Sequence, residues 1–247
     1  MASIAGTFLE GPARRAYSAA WEKIPDGVLP AAAVKARNYD RMTLQIAAGA
    51  VAGGGSAIDV GACQGDILKV LVRQSEAPHW AFEPIPAFAA RLRRRFPEVT
   101  VGQCAISDGC GETEFRYLPG APGYSSLHVR KDTAEGLEVR PLRVSTCRLD
   151  DCIPASAQVA FVKIDVEGAE AAVLRGAREL LCRCQPVVVF ECAPVDLPDC
   201  VAALEGTGLA VSFLADFLAG TARSTADVMR LGVEHHEFYY VAAPYMG

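Results

Sequence analysis

The stretch AIDVGACQGD at residues 57–66 decides the fold of this chain. Its short apolar run stops at Gly61, Gly65 follows, and apolar residues then recur at helical spacing at positions 67, 68, 71 and 72. Strand, glycine turn and helix form the first unit of a nucleotide-binding α/β domain. Gly61 lets the chain turn without a Cβ near a ligand, and Gly65 lets the helix begin close by. Such turns also occur with nothing bound, so the turn alone does not establish a site.

Three side chains near this turn indicate which nucleotide it binds. Cys63 stands where a dinucleotide fingerprint has its middle glycine, and Asp66 falls in the first turn of the predicted helix. A carboxylate at this end of a helix would repel a diphosphate. S-adenosylmethionine has no phosphate and carries a sulfonium and an ammonium, so Asp59 and Asp66 both suit it. The stretch therefore favours S-adenosylmethionine over NAD.

Length and composition exclude several classes of protein. A chain of 247 residues fits one α/β domain, with or without an N-terminal extension, and its hydrophobic content of 51% is ample for a packed core. The net charge of −5 gives no general attraction to nucleic acid. No apolar run approaches the roughly 18 residues of a membrane span, and the first residues lack the order of a secretory signal. We expect neither nucleic acid nor a membrane as a partner.

The nine cysteines form no CxxC pair, which argues against a zinc site. Most of them lie in apolar runs, where cysteine behaves as a small hydrophobic residue. Because reduced thiols are typical of the cytoplasm, we expect a cytoplasmic protein without a metal site.

Strands and helices alternate along the chain from residue 57 onward. Strand patterns occur at residues 57–60, 79–83, 99–106, 159–164, 186–190, 209–214 and 238–242. They predict a doubly wound, Rossmann-like α/β fold, with a seven-stranded, mostly parallel sheet, helices on both faces and an antiparallel last strand. Two further strand patterns, at residues 113–117 and 137–146, flank a Pro-Gly-Ser loop and indicate an excursion from this sheet.

The glycines at residues 53–55 mark a predicted boundary between two parts of the chain. Residues 1–52 are expected to form a helical extension that covers the site, with helices at 13–23 and 31–50. Residues 53–247 are expected to form the S-adenosylmethionine-binding domain. The Gly- and Ser-containing loop at 119–128 has the composition of a mobile lid, so we expect it to close over the acceptor together with these helices.

The ends of the second and third strands complete the predicted cofactor site. Glu83 ends the second strand 22 residues after Gly61, where a doubly wound domain presents a carboxylate to the ribose hydroxyls. An ordinary solvent-facing glutamate is the alternative. Ala105 and Ile106 would border the adenine, with Asp108 as an acceptor for its exocyclic amine. An ordinary Ser-Asp-Gly turn is the alternative for Asp108.

The stretch FVKIDVEGAE at residues 161–170 places acids at the carboxyl end of another strand, where α/β sheets bind their ligands. Glu170 has an alternative explanation as a cap of the next helix. Asp165 and Glu167 have no such local explanation, and Glu191 adds a further acid to the same edge. The carboxylates of Asp165, Glu167 and Glu191 could hold Mg²⁺ instead, but their spacing does not demand a metal ion.

Five segments together make residues 39–191 resemble the FkbM-type methyltransferase family. They are DVGACQG at 59–65, FEP at 82–84, AISD at 105–108, YSSL at 124–127 and KIDVEGAE at 163–170. The resemblance implies a class I fold that depends on S-adenosylmethionine and methyl transfer to oxygen, often in making natural products or glycans. Residues 53–247 then form the methyltransferase domain. The pair Cys63 and Gln64 departs from the asparagine and aliphatic residue that the family more usually has.

The residues predicted to bind S-adenosylmethionine are Asp59, Gly61, Ala62, Gly65, Glu83, Ala105, Ile106, Asp108 and Asp165. A hydroxyl acceptor must lose its proton during transfer, so we expect a general base within reach. Asp165 and Glu167 are the first candidates for this base, and His128 is the next. For His128, as for His235 and His236, an ordinary surface position is the alternative.

Two other functions remain open on the sequence alone. A nicotinamide-dependent oxidoreductase would use the same strand, turn and helix. A non-catalytic cofactor-binding protein would keep DVGACQG and Glu83 but would need no acids at positions 165 and 167, so their presence weighs against it. The partner expected for a methyltransferase is a small-molecule hydroxyl acceptor. The oligomeric state stays open, with a homodimer as one option.

Overall fold

The computed structural model describes residues 31–120, 123, 125–127 and 138–244 of the chain. The predicted helix at residues 13–23 and the candidate base His128 lie outside the described residues. Among the helices that are described, none has the length and apolar character of a transmembrane span.

The main sheet has the predicted architecture. In chain order, the strands of the described residues are β1 (Ser56–Val60), β2 (His79–Phe82), β3 (Val99–Gly102), β4 (Ala105–Ile106), β5 (Gly111–Tyr117), β6 (Arg140–Cys147), β7 (Val159–Ile164), β8 (Val187–Glu191), β9 (Leu209–Phe213) and β10 (Tyr239–Pro244). Seven of them form one sheet in the order β3-β2-β1-β7-β8-β10-β9. All neighbours in this sheet are parallel except those of β10, which runs antiparallel to β8 and β9. This confirms the predicted sheet, including its antiparallel last strand.

Helices cover both faces of this sheet, as predicted. They are α1 (Ala31–Val51), α2 (Leu68–Gln74), α3 (Pro86–Arg95), α4 (Leu149–Cys152), α5 (Glu170–Arg175), α6 (Arg178–Cys184), α7 (Leu197–Leu204), α8 (Leu214–Ala219) and α9 (Thr225–Glu234). Buried residues of α5, α6, α7 and α9 join the core on one face, and those of α1, α2, α3 and α8 join the core on the other. Strands β1 and β2 are buried along their whole length, as expected of strands that are covered on both sides.

The chain segment between β3 and β7 leaves the main sheet, also as predicted. It forms a small sheet in the order β4-β6-β5, in which β5 and β6 are antiparallel. The prediction of one strand over residues 99–106 is wrong, because the segment is divided between the two sheets. Strand β3 stays paired with β2 only as far as Gly102, whose carbonyl oxygen accepts the last bond of the ladder from the N–H of Glu83. Ala105 and Ile106 pair with β6 instead.

Helix α1 is the described part of the predicted N-terminal extension. Its residues Ile46, Ala47 and Val51 are buried in the same core cluster as Phe161 of β7 and Leu71 of α2. The helix therefore packs directly on the sheet, and residues 31–51 share one core with the strands that follow the predicted boundary.

Candidate functional site

The turn after β1 lies between the ends of two neighbouring strands. The N–H groups of Gly61 and Ala62 both donate to the carbonyl oxygen of Phe82, at 3.0 and 3.2 Å. Gly61 has a φ of +79°, and a Cβ on it would stand 1.8 Å from the carbonyl oxygen of Asp165. Only glycine combines this left-handed conformation with so close an approach. The turn is therefore held between β2 and the end of β7.

Gly65 brings helix α2 close to helix α3. Its φ is +74°, and a Cβ on it would stand 2.6 Å from the ring of Phe96 and 2.8 Å from Leu92. The helix begins at Leu68, so Asp66 precedes it. The prediction that Asp66 lies in the first helical turn is therefore wrong, and its exposed carboxylate pairs with Lys69.

Glu83 follows β2 and is almost completely buried beside this turn. One carboxylate oxygen accepts a hydrogen bond from the N–H of Cys63 at 2.9 Å, and the other accepts from the N–H of Ile85 at 2.8 Å. Burial raises the pKa of Glu83 to about 7, against the effect of these two donors, and the nearby acids Asp59 and Asp165 raise it further. The alternative of an ordinary solvent-facing glutamate is therefore wrong. Each oxygen keeps a lone pair for another donor, such as a ribose hydroxyl.

Asp59 lies within β1, beneath the turn, and is also buried. Its Oδ1 atom has no hydrogen-bond partner among the described residues. Burial raises the pKa of Asp59 to about 6, although the positive charge of Lys163 opposes the shift. A buried carboxylate oxygen without a donor is costly unless a ligand satisfies it.

Lys163 lies between two acids and was not singled out by the sequence argument. It stands beside Asp59 in the register of β1 and β7, and its Nζ lies 2.9 Å from Oδ2 of Asp165. Although burial opposes its charge, Asp165 and Asp59 hold the pKa of Lys163 above its usual value. The sequence signal for this lysine was its place in the otherwise apolar strand FVKI. A charged side chain rarely lies in a strand that is covered on both faces unless it has a partner.

The acids after β7 have different environments. Asp165 continues the sheet, since its N–H donates to the carbonyl oxygen of Val60 at 3.0 Å. Glu167 is half-buried with a left-handed φ of 57°. The carboxylate of Glu170 turns back and accepts from the N–H of Gly168 at 3.0 Å and of Val166 at 3.4 Å. Glu170 therefore closes the turn before α5, close to the capping role that was its alternative explanation.

A cavity opens between these elements at the carboxyl edge of β1, β2 and β7. Of the predicted cofactor-binding residues, those on its wall are Gly61, Glu83, Ala105, Ile106 and Asp165. Ser125 and Leu127, from the predicted lid, also line it, so this part of the loop borders the cofactor cavity. Glu167 is not among the described residues that line it.

Four predicted contacts, Asp59, Ala62, Gly65 and Asp108, are not among the described residues that line this cavity, and Asp108 is turned to another partner. Its exposed carboxylate pairs with Arg175 of α5, with 2.8 Å between Nε and Oδ2. The side-chain hydrogen bond from Arg175 lowers the pKa of Asp108. The backbone before it is pressed against Gly176, where a Cβ would stand 2.0 Å from the carbonyl oxygen of Ser107. This contact turns Asp108 toward α5, so its prediction as the adenine acceptor is wrong.

The groups around the cavity fit S-adenosylmethionine on three counts. The orphaned Oδ1 of Asp59 can accept a hydrogen bond from an ammonium donor. The carboxylate of Glu83 can accept from ribose hydroxyls, and the turn at Gly61 presents backbone without a side chain. The described part of the cavity wall contains no lysine or arginine, the side chains that would bind a diphosphate. Nor do the described residues contain a group of three or more His, Cys, Asp or Glu side chains that could hold a metal ion.

A second acidic group follows along the same edge, at the end of β8. Glu191 stands opposite Tyr239 in the antiparallel register, so the two side chains are neighbours on one face of the sheet. Burial raises the pKa of Glu191 to about 8, and the charge of Asp165 raises it further. The ring of Tyr239 stacks on that of Tyr39 from α1, with 4.7 Å between centroids. Glu191 was predicted at this edge from the sequence, whereas neither tyrosine was predicted as a site residue.

Comparison with known proteins gives one family. A family model described as the methyltransferase FkbM domain matches residues 59–205, more than half of the chain. No curated protein sequence matches the chain.

Several solved structures are similar in fold. Methyltransferase FkbM from Methylobacillus flagellatus KT is 18% identical with a TM-score of 0.48, and the match covers 76% of this chain and 43% of that one. Precorrin-6y C5,15-methyltransferase from Geobacter metallireducens GS-15 is 15% identical with a TM-score of 0.40, covering 68% and 71%. Geranyl diphosphate C-methyltransferase from Streptomyces coelicolor A3(2) is 9% identical with a TM-score of 0.43, covering 94% and 97%. The chain thus spans less than half the length of the first of these.

Proposed function

Because this chain belongs to the FkbM methyltransferase family, we propose that it transfers the methyl group of S-adenosylmethionine to a hydroxyl oxygen of a small molecule. Methyltransferase activity and the cofactor S-adenosylmethionine come with the family. The oxidoreductase alternative is therefore left without support. The choice of oxygen and of a small molecule is our proposal.

The observation that carries the choice of oxygen is the line of acids at the carboxyl edge of β7 and β8. Bound S-adenosylmethionine supplies an electrophilic methyl carbon, and its sulfur keeps the electron pair of the broken bond. The acceptor oxygen gains the methyl and loses its proton, which a nearby carboxylate can take. Asp165 on the cavity wall and Glu191 beside it place two such carboxylates at the edge.

Asp165 is the stronger of the two acids first named as catalytic candidates. It lines the cofactor cavity, whereas Glu167 does not among the described residues, and Lys163 fixes the position of its carboxylate. We propose that the negative charge of Asp165 faces the reacting centre, where it stabilises positive charge. Glu167 and His128 remain candidates for orienting the acceptor or accepting its proton.

Charge supports a small acceptor in place of nucleic acid. The net charge of −5 and the acidic edge would repel a phosphate backbone. All nine cysteines are free thiols, which supports the proposal of a reducing, cytoplasmic setting.

The test is to follow a labelled methyl group. The full chain is incubated with S-adenosylmethionine labelled at the methyl carbon and with a small-molecule extract of its source organism. NMR of the purified product distinguishes a methyl on oxygen from one on nitrogen or carbon by its chemical shift. We expect a methoxy product that Glu83→Ala forms more slowly when the cofactor concentration is limiting. A methyl group found only on nitrogen, on carbon or on nucleic acid would refute the proposal.

A further inference from the structure

A second, larger cavity lies at the same edge of the sheet, beyond β8. Its volume is about 930 Å³, it is open to the surface, and it is lined by α1, the start of α8, the end of α9 and the start of β10. Among the described residues, the two cavities share no lining residue.

The size and lining of this cavity suit a small organic molecule. Ligand sites usually occupy about 300–1,000 Å³ and are lined mainly by apolar and aromatic side chains with a few polar groups. Here the wall is built mainly from such side chains, among them Tyr39, Met42, Phe213, Leu231 and Tyr239.

The charged groups on the wall neutralise one another. Lys35 pairs with Glu237 at 3.2 Å, and the hydroxyl of Tyr39 donates to the same carboxylate. Arg223 pairs with Asp216, and both line the cavity. The side chains of Lys35 and Arg223 are 41% and 40% exposed, so each pair is weak by itself. Because the charges of both pairs are already matched, they offer an ionic ligand no counter-charge. The cavity is therefore suited to an uncharged ligand.

Tyr239 connects the two cavities through Glu191. The tyrosine lines the larger cavity and stands beside Glu191 in the register of β8 and β10. The charge of Glu191 in turn interacts with Asp165, which lines the cofactor cavity. A hydroxyl that reaches Tyr239 from the larger cavity therefore lies beside Glu191, whose other charged neighbour is Asp165 on the wall of the cofactor cavity.

We propose that the larger cavity holds the methyl acceptor, an uncharged and mainly apolar molecule whose hydroxyl contacts Tyr239. This inference rests on the proposed function and adds the class and place of the acceptor. The hydroxyl proton passes to the oxygen of Tyr239 as the tyrosine's own proton passes to Glu191, so the tyrosine ends with the proton count it began with. Glu191 in its ionised form, which predominates above its raised pKa of about 8, is then the final proton acceptor.

The test measures binding and does not need turnover. Equilibrium dialysis of the full chain against thymol, an uncharged phenol with an isopropyl group, should show saturable binding. Leu231→Trp fills the cavity from α9 and should weaken this binding at least about tenfold. Val233→Trp is the matched control, because Val233 lies on the same helix, is 57% exposed and is not among the described lining residues. It should bind thymol as the wild type does.

The charge of the probe tests the chemical class. Cumate carries a carboxylate on a similar isopropylphenyl frame and should bind at least about tenfold more weakly than thymol. Equal binding of the two probes, unchanged thymol binding in Leu231→Trp, or no thymol binding to the wild type would each overturn the proposal. Met42→Trp fills the cavity from α1 and gives an independent second variant.

Calorimetry with S-adenosylhomocysteine on the same samples separates this inference from the proposed function. All three tryptophan variants, Leu231→Trp, Met42→Trp and Val233→Trp, should keep cofactor affinity, which also confirms that they are folded. If the wild type does not bind S-adenosylhomocysteine, the proposed function is contradicted. If it binds S-adenosylhomocysteine but not thymol, only the assignment of the larger cavity to the acceptor is overturned.

Discussion

The carboxylate of Glu83 accepts a hydrogen bond from the N–H of Cys63 at 2.9 Å, which joins the end of β2 to the turn after β1. Cys63 has a left-handed φ of 43°, a conformation that costs energy for a residue with a side chain. The bond to Glu83 compensates for this cost and holds the turn in one shape. The carboxylate that would bind the ribose thus also organises the loop around it.

Replacing Glu83 should weaken cofactor binding directly. Glu83→Ala removes the acceptor for ribose hydroxyls and leaves the N–H groups of Cys63 and Ile85 without their partner. We expect the affinity for S-adenosylhomocysteine to fall by about 1–3 kcal/mol, measured by calorimetry. Glu98→Ala, at an exposed position, serves as the control and should change nothing. Unchanged affinity in Glu83→Ala would remove the ribose assignment.

The close approach at Gly61 can be separated from its backbone conformation. Gly61 and Gly54 both have positive φ values, of +79° and +84°, but only at Gly61 would a Cβ meet another atom within 4 Å. Gly54→Ala should cost about 1 kcal/mol of unfolding free energy, the penalty of the left-handed region. Gly61→Ala adds the collision with Asp165 and should cost about 3 kcal/mol or more. If urea denaturation gives the same loss of unfolding free energy for Gly54→Ala and Gly61→Ala, the turn at Gly61 can move away from Asp165 to admit the Cβ.

The raised pKa of Glu83 predicts a pH dependence of stability. Because its pKa rises from 4.5 to about 7 on folding, the folded chain keeps a proton that the unfolded chain has lost between these values. The stability that this proton contributes is complete below about pH 4.5 and is lost as the pH rises through about 7, up to about 3 kcal/mol. Glu83→Gln cannot titrate, so urea denaturation should give a flatter profile across this range.

The control for the pH experiment is Glu98→Gln, which should keep the wild-type slope. Asp59 contributes a slope of the same sign, between 3.8 and about 6, in all three proteins. A profile for Glu83→Gln that matches the wild type would show that Glu83 does not titrate as its burial requires.

The fold and half of the site followed from local patterns. Strand periodicity and the turn at Gly61 predict the sheet because both depend on residues close together in sequence. Glu83 was found by its distance of 22 residues from that turn, a spacing that the strand–helix–strand unit imposes. The break after Gly102 was missed because it depends on where β2 ends.

The other half of the site depends on pairings that no local pattern contains. Lys163 compensates Asp59 only because β1 and β7 lie side by side in one register. Glu191 meets Tyr239 through an antiparallel pairing of β8 with β10. Asp108 is removed from the cavity by Arg175, a partner 67 residues away. In each case the sequence shows the charge, and only the tertiary structure shows what it faces.

Asp165 should matter for methyl transfer more than for cofactor affinity. Asp165→Asn keeps the size of the side chain and removes the charge that faces the reacting centre, so the transfer rate should fall by about 10²-fold or more. The affinity for S-adenosylhomocysteine should change little. Glu167→Gln, two residues further on and outside the described cavity wall, is the matched variant and should have a smaller effect. Near wild-type rates in both would assign the role to another residue, with His128 and Glu191 next.

The most direct measurement is a crystal structure of the chain with S-adenosylhomocysteine. The account predicts ribose hydroxyls on the carboxylate of Glu83, adenine against Ala105 and Ile106, and the sulfur directed toward Asp165 and the cavity that Tyr239 lines. A cofactor bound out of contact with Glu83, or with its sulfur directed away from Asp165, would contradict it.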